Sequence, residues 1–309
     1  MYDAVLLIAF GGPRSPEEID PFLARVVRGR NVPPERVEAA RQNYLVIGGR
    51  SPLHDITLRQ AKRLEAELWF RGQHLPVYIG MRNWHPFLHE TLEQMWTEGV
   101  RRAIGIIMSP QESEAGWHRY VSDVAEARAA VGEQAPAIDI LPCWNDRAGF
   151  REAMACHIAQ ALAEFPEPER ARVPVVFTAH SLPVAMARQA SYVQQLQSTA
   201  ADICARLKHE RWELAFQSRS GPRGEPWLEP DISDCLARLA GEKADAVVVA
   251  PIGFVCDHVE VLYDLDVVAR NTANQKGIRF VRARTVGEHP AFVRMLAELV
   301  LEQVRKPHV

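Results

Sequence analysis

The chain has 309 residues, of which 47% are hydrophobic and 24% charged, with a net charge of −3. That is the composition of an ordinary globular protein, with enough chain for two domains. Its 36 basic residues are interspersed with 39 acidic ones, a solvated surface rather than a nucleic-acid footprint.

In chain order, short apolar runs at 4–9, 77–80, 103–108 and 138–141 are the expected strands of a first half. Those at 173–179, 212–216, 246–250 and 278–281 belong to a second. Most are continuous Val/Ile/Leu runs, as in strands buried on both faces of a parallel sheet. Amphipathic helical patterns lie between them, at 56–68, 87–98 and 231–241 among others, with Asp231 or Ser233 able to cap the last. The rhythm predicts α/β architecture, with parallel sheets flanked by helices.

The halves resemble each other. Val5-Leu6-Leu7-Ile8-Ala9-Phe10-Gly11-Gly12-Pro13 parallels Val175-Val176-Phe177-Thr178-Ala179-His180-Ser181-Leu182-Pro183. Each is an apolar strand followed by Ala, a ring-bearing residue, two loop residues and Pro. The expectation is a duplicated unit, two Rossmann-like lobes at 1–165 and 166–309, each built on a four-stranded parallel sheet. Pro166, Pro168 and several charges mark the boundary. The last helix, 290–304, is expected on either lobe, the N-terminal one included. Parallel sheets bind ligands beyond the carboxyl ends of their strands. If the lobes face each other, Phe10 and His180 would line opposite walls of one cleft.

Three strand-end loops carry chemistry. Phe177-Thr178-Ala179-His180-Ser181-Leu182-Pro183 presents a histidine, either held in the core by a carbonyl or serving as a base or metal ligand near neutral pH. Pro251-Ile252-Gly253-Phe254-Val255-Cys256-Asp257-His258-Val259-Glu260-Val261-Leu262-Tyr263-Asp264 delivers Asp257, His258, Glu260 and Asp264 within eight residues. On a helix, Glu260 and Asp264 share a face. His258 and Glu260 would point ~200° apart, so only a widened turn brings both to one ligand. The alternative is a solvated acidic helix start. The third loop, Gln217-Ser218-Arg219-Ser220-Gly221-Pro222-Arg223-Gly224-Glu225-Pro226-Trp227, offers arginines, a serine and a large flat ring. Combined with the other two loops, it suggests a flat aromatic ligand bearing carboxylates; the short basic cluster Arg25, Arg28 and Arg30 could separately meet a small ligand's carboxylates.

Taken in order, these loops resemble the signatures of the ferrochelatases. Further matches are Ile47-Gly48-Gly49-Arg50-Ser51-Pro52-Leu53, Tyr78-Ile79-Gly80-Met81-Arg82 and Phe10-Gly11-Gly12-Pro13, so the resemblance spans nearly the whole chain. It implies a two-lobed chelatase fold and insertion of Fe²⁺ into coproporphyrin III or protoporphyrin IX. His180 and Glu260 would be the catalytic and metal-binding pair, with Glu260 on a segment wound partly as a π-helix. Asp257, His258 and Asp264 would be supporting polar residues. Phe10, Arg28, Tyr44, Ser51, Arg82, Tyr120, Trp227 and Phe254 would contact the porphyrin. The chemistry suits these residue types: metallation releases two pyrrole protons, of which a neutral imidazole accepts one, and a carboxylate can take a proton or, with the imidazole, hold ferrous iron.

Some positions depart from the family pattern. Coproporphyrin-type members carry tyrosine in place of Phe10, a basic residue near Val27 and arginine in place of Asn43. Glu112 stands where an aromatic is usual, and Val268 interrupts the acidic ladder begun by Glu260 and Asp264. The alternatives left open are a chelatase for another metal and tetrapyrrole, and a weakly active porphyrin- or haem-binding protein.

The five cysteines, Cys143, Cys156, Cys204, Cys235 and Cys256, form no close pair. Free thiols in a reducing compartment are expected, and no iron–sulfur cluster. The opening Met1-Tyr2-Asp3-Ala4 has no basic secretory start, and the longest charge-free apolar run, between Asp245 and Asp257, falls short of the ~20 residues of a spanning helix. The expected protein is a cytoplasmic monomer that needs no cofactor beyond its iron substrate. Its partners are expected to be the porphyrin and the haem product, with no nucleic acid and no transmembrane segment.

Overall fold

The computed structural model describes residues 1–29, 31–221 and 224–306. Arg30, Pro222 and Arg223 of the motifs above lie outside the described residues.

The first half runs β1 (Ala4–Ala9), α1 (Ile19–Val26), α2 (Pro34–Val46), α3 (Leu53–Phe70), β2 (Val77–Met81), α4 (Leu88–Thr97), β3 (Arg102–Ile107), α5 (Arg119–Val131) and β4 (Ala137–Ile140). Its strands form one parallel sheet in the order β2-β1-β3-β4. Every residue of β1 is buried, as a central strand covered on both faces requires. Ala4, Leu6 and Ile8 pack on one side with Leu92 and Met95 of α4 and Val124 of α5. Each of the larger side chains among these contributes roughly 1.5–3 kcal/mol by leaving water.

The second half runs α6 (Ala148–Leu162), α7 (Glu167–Arg170), β5 (Val175–His180), α8 (Val184–Ala187), α9 (Tyr192–Leu207), β6 (Trp212–Gln217), α10 (Ile232–Gly241), β7 (Ala246–Ala250), α11 (Val259–Leu262), α12 (Arg270–Gln275), β8 (Arg279–Arg282) and α13 (Pro290–Arg305). The sheet order is β6-β5-β7-β8, again all parallel. The two sheets have the same topology: the first strand pairs with the second and third, and the fourth follows the third. The expected α/β duplication is therefore present in the backbone, and the alternating apolar runs and helical patterns foretold it.

By internal contacts the chain forms two compact units. One comprises 1–109, 117–143 and the residues from Phe292 onward, and the other 110–116 and 144–291. The 165/166 boundary expected from Pro166 and Pro168 thus falls inside the second unit. Proline and charge there mark only the short turn of helix α7, and α6 ahead of it packs against α9 and β7. Most of α13, from Phe292, is grouped with the first unit. Among the described residues, no helix is long and apolar enough to cross a membrane.

Candidate functional site

Within the second unit, His180 is the last residue of β5, in register with Gln217, the last residue of β6. The strand hydrogen bonds hold its backbone, and the loop beyond is tied down at several points. The Ser181 amide donates to the Gln217 carbonyl at 2.7 Å. The Ser181 hydroxyl donates to the Leu228 carbonyl at 2.9 Å, and Tyr192 at the start of α9 donates its hydroxyl to the His180 carbonyl at 3.0 Å. The imidazole Nδ1 contacts the Ser181 carbonyl. A neutral ring donates there, which leaves Nε2 with its lone pair exposed to act as base or ligand.

That Nε2 lies 3.7 Å from Glu260 Oε1, with both side chains about a third exposed. Glu260 sits in the first turn of α11. His258 is the N-cap of that helix: its backbone is extended, and its Nδ1 accepts the Glu260 amide at 3.2 Å. Burial lowers the His258 pKa, so its ring is held neutral and available as that acceptor. The helical phase argument therefore does not apply to His258, because a cap residue stands outside the helix it starts.

The π-helical segment also lies elsewhere than expected. It spans Asp264–Ala269, so Glu260 precedes it and Asp264 opens it. The Leu262–Tyr263 step absorbs the change of pitch, and Glu260 remains on an ordinary helical turn. Asp264 accepts a hydrogen bond from the Ser218 hydroxyl. Burial, more than the neighbouring Glu260 charge, raises its carboxyl to about 7. It can thus take up or release a proton near neutrality. Ser218 sits at φ 63°, a left-handed conformation uncommon outside glycine. The cost of that conformation is borne where its hydroxyl meets the acid.

Asp257 is held by β8 and the residues after it. Arg282 at the end of β8 grips it through both terminal nitrogens, at 3.2 and 3.1 Å, and Thr285 adds a bond at 3.0 Å. The Nε of the same guanidinium reaches Asp266 of the π segment at 2.8 Å. One arginine thus clamps the loop before α11 to the segment after it. Asp257 is a structural anchor in this arrangement.

Gly253 explains the glycine in Pro-Ile-Gly-Phe. Its amide donates to the Thr178 carbonyl at 3.1 Å, and a Cβ there would stand 2.6 Å from Ala179 Cβ and 2.8 Å from Ala179 Cα. Real Cβ atoms do not approach backbone so closely. Gly253→Ala pushes the loop away from the residue just before His180. We expect it to cost about 1–3 kcal/mol, read as a lower melting temperature together with reduced turnover.

Phe254 is 9% exposed and packs with Ile232, Val261 and Leu265. Its ring meets the edge of His258 at 4.8 Å. Trp227 is 8% exposed, with its indole nitrogen donating to Glu225 at 3.2 Å, and its segment is bridged to Pro183 beyond β5. In the second unit these two rings support the loops that bear the polar residues.

In the first unit, Phe10 leaves the carboxyl end of β1. Its ring lies 6.4 Å from Phe22, which in turn meets Tyr44 at 5.7 Å. Arg82, just past β2, stands 5.9 Å from the Phe10 ring and 5.5 Å from that of Tyr120. Its Nε pairs with Asp123 at 2.8 Å. Burial raises the Asp123 carboxyl even though Arg82 and Arg119 oppose the shift. Ser51 is buried against Gly12, its amide donating to the Pro13 carbonyl at 2.7 Å. Phe10, Tyr44, Ser51, Arg82 and Tyr120 therefore gather around the ends of β1 and β2. Arg28 does not join them: it is exposed on the turn after α1.

Reasoning from sequence overlooked Tyr192, Asp123 and Arg282 as parts of these clusters. Gln217 and Ser218 were legible as a strand end. Tyr192 sits in the first turn of a helix, and its role depends on packing alone.

The Ferrochelatase family model matches residues 2–304 of the chain. The coproporphyrin III ferrochelatase of Mycolicibacterium smegmatis is 40% identical, over 98% of this chain and 90% of its own length. That of Frankia alni is 44% identical over 99% and 80%. A ferrochelatase of Rhodopirellula baltica is 39% identical over 99% and 87%. Among solved structures, SirB from Bacillus subtilis with Fe³⁺ superposes with a TM-score of 0.58 at 10% identity, covering 99% of this chain and 96% of that one. CbiX, the terminal enzyme for biosynthesis of sirohaem in denitrifying bacteria, does so with 0.54 at 14%, covering 98% and 100%. At such low identity these two likenesses show the shared fold alone.

Proposed function

The chain belongs to the ferrochelatase family, and from that premise we propose that it is a lyase inserting Fe²⁺ into coproporphyrin III, with His180 and Glu260 at the reacting centre. Support for the activity comes from relatives at about 40% identity that share nearly the full length. Support for the site comes from one observation above all: a basic imidazole nitrogen and a carboxylate oxygen, eighty residues apart in the chain, stand 3.7 Å from each other.

Metallation exchanges two pyrrole protons for one metal ion. His180 Nε2, its lone pair exposed, accepts the two pyrrole protons in turn, handing each on before the next leaves the ring. The Glu260 carboxylate offers a hard, anionic oxygen to the incoming iron, and with the imidazole it makes a donor set suited to Fe²⁺. Asp264, titrating near neutrality, sits one turn on and passes protons onward toward solvent. The iron is a substrate, and the reaction needs no resident cofactor. As porphyrin contacts we propose Phe10, Tyr44, Ser51, Arg82 and Tyr120 in the first unit and the Trp227 and Phe254 segments in the second. Arg28 is proposed as a partner for a propionate reaching solvent. Five free thiols fit a reducing compartment, and the proposed setting is a monomer in the cytoplasm.

The names of the relatives support coproporphyrin III as the substrate. Coproporphyrin bears propionates where protoporphyrin IX has vinyl groups, so a site with partners for them loses those contacts with the vinyl compound. Anaerobic Fe²⁺ insertion measured on both porphyrins in parallel tests this. The expected kcat/KM is higher for coproporphyrin III by ~10-fold or more. Equal values, or a preference for protoporphyrin IX, refute the substrate assignment. Binding of both with no turnover of either refutes the activity.

A further inference from the structure

Gln217 is 1% exposed and ends β6, directly beside His180 on β5. Its backbone carbonyl accepts the Ser181 amide at 2.7 Å, which pins the residue that follows His180. Its side chain reaches the other way: Nε2 donates to the main-chain carbonyl of Glu260. Three segments that are distant in the chain are thus linked through one residue, by its backbone toward His180 and Ser181 and by its amide side chain toward Glu260.

Two further facts give this contact more weight than ordinary loop packing. Glu260 lies in a helix of only four residues, Val259–Leu262, followed at once by a change of pitch into the π segment. A first turn followed so soon by a change of pitch draws little on regular helical hydrogen bonding to fix its orientation, although the winding continues through the π segment. The Gln217 Oε1, moreover, is buried without any hydrogen-bond partner among the described residues. Leaving an acceptor unsatisfied is unfavourable. The amide is tolerated there for what its donor does.

We propose that Gln217 is the positioning residue that sets the separation of His180 and Glu260, by coupling the end of β6 to both. The inference rests on the reading of that pair as the metal-exchange centre. Gln217 touches neither porphyrin nor iron in this scheme. Its action runs through the backbone of Glu260 and through the strand register of His180. Residues that hold metal ligands in place are typically worth a factor of ~10–100 in activity or metal affinity.

The experiment compares wild type with Gln217→Met and Gln217→Glu. Met preserves volume and removes the donor. Glu is isosteric, and when ionised it turns a carboxylate oxygen toward the Glu260 carbonyl. Three quantities are read on each protein: melting temperature, porphyrin Kd by absorbance titration, and steady-state kcat and KM for anaerobic Fe²⁺. Both variants are expected to bind porphyrin within ~2-fold of wild type while kcat/KM for Fe²⁺ falls ~10–100-fold. The activity of Gln217→Glu relative to wild type at the same pH should rise as pH falls, where the protonated carboxyl is again a donor to the carbonyl. A folded variant with wild-type kinetics overturns the proposal. So does a loss of turnover matched by an equal loss of porphyrin affinity with no such rise at low pH, because that is the signature of general loosening. If wild type itself binds porphyrin but inserts no iron, the functional reading fails first, and that outcome is distinguishable from either.

Discussion

His180→Ala is expected to lower kcat for Fe²⁺ insertion by ~10²–10⁴-fold, the usual contribution of a positioned general base. Porphyrin affinity should stay near that of wild type. The separation follows from the geometry. The His180 backbone is held by its strand register with Gln217 and by the Tyr192 hydroxyl on its carbonyl, and neither contact involves the imidazole. Truncating the ring removes the nitrogen beside Glu260 and the Nδ1 contact to the Ser181 carbonyl, while the strand register and the Tyr192 bond still hold the backbone. Stopped anaerobic assays, with porphyrin binding measured separately, provide the check. If the variant metallates porphyrin as fast as wild type, His180 is not the base.

Glu260→Gln should be nearly as damaging, with a different signature. The amide keeps the shape of the side chain and its place at the start of α11, but loses the negative charge offered to iron. The expected result is a fall in kcat/KM for Fe²⁺ of ~10²–10³-fold, again with little change in porphyrin Kd. A second consequence follows from the neighbour. The Glu260 charge is one of the causes that raise the Asp264 carboxyl, after burial. Removing it favours ionised Asp264, so residual activity that depends on protonated Asp264 shifts its pH limb downward. Unchanged iron kinetics in the glutamine variant would exclude Glu260 as a donor to the metal.

Much of this site was visible in the chain before any coordinates. The strand-end rule places His180, Trp227 and the Asp257–Asp264 segment where ligands meet parallel sheets. Gly253 is needed because the β7 loop closes onto Ala179, a contact that no local pattern announces. The family resemblance placed Glu260 on a segment wound partly as a π-helix, and the structure starts that winding at Asp264. A helix that changes pitch differs from a regular one by a single hydrogen-bond step, and side-chain periodicity over four residues cannot resolve that. Asp257 and His258 illustrate the same limit. Their residue types mark them as polar, and only the fold gives each its place: Asp257 in the grip of Arg282 and Thr285, His258 in a helix cap whose Nδ1 accepts the Glu260 amide.

The chain alone determined the duplicated α/β plan, because buried parallel strands and amphipathic helices are periodic and local, and burial of continuous apolar runs admits few other architectures. It also determined which residue types are available at strand ends. Only the tertiary structure decided which of them meet. The 3.7 Å approach of His180 to Glu260 and the Gln217 contact behind it depend on strand register and loop packing across long stretches of chain, and pairwise distances of that kind are set by the whole core at once.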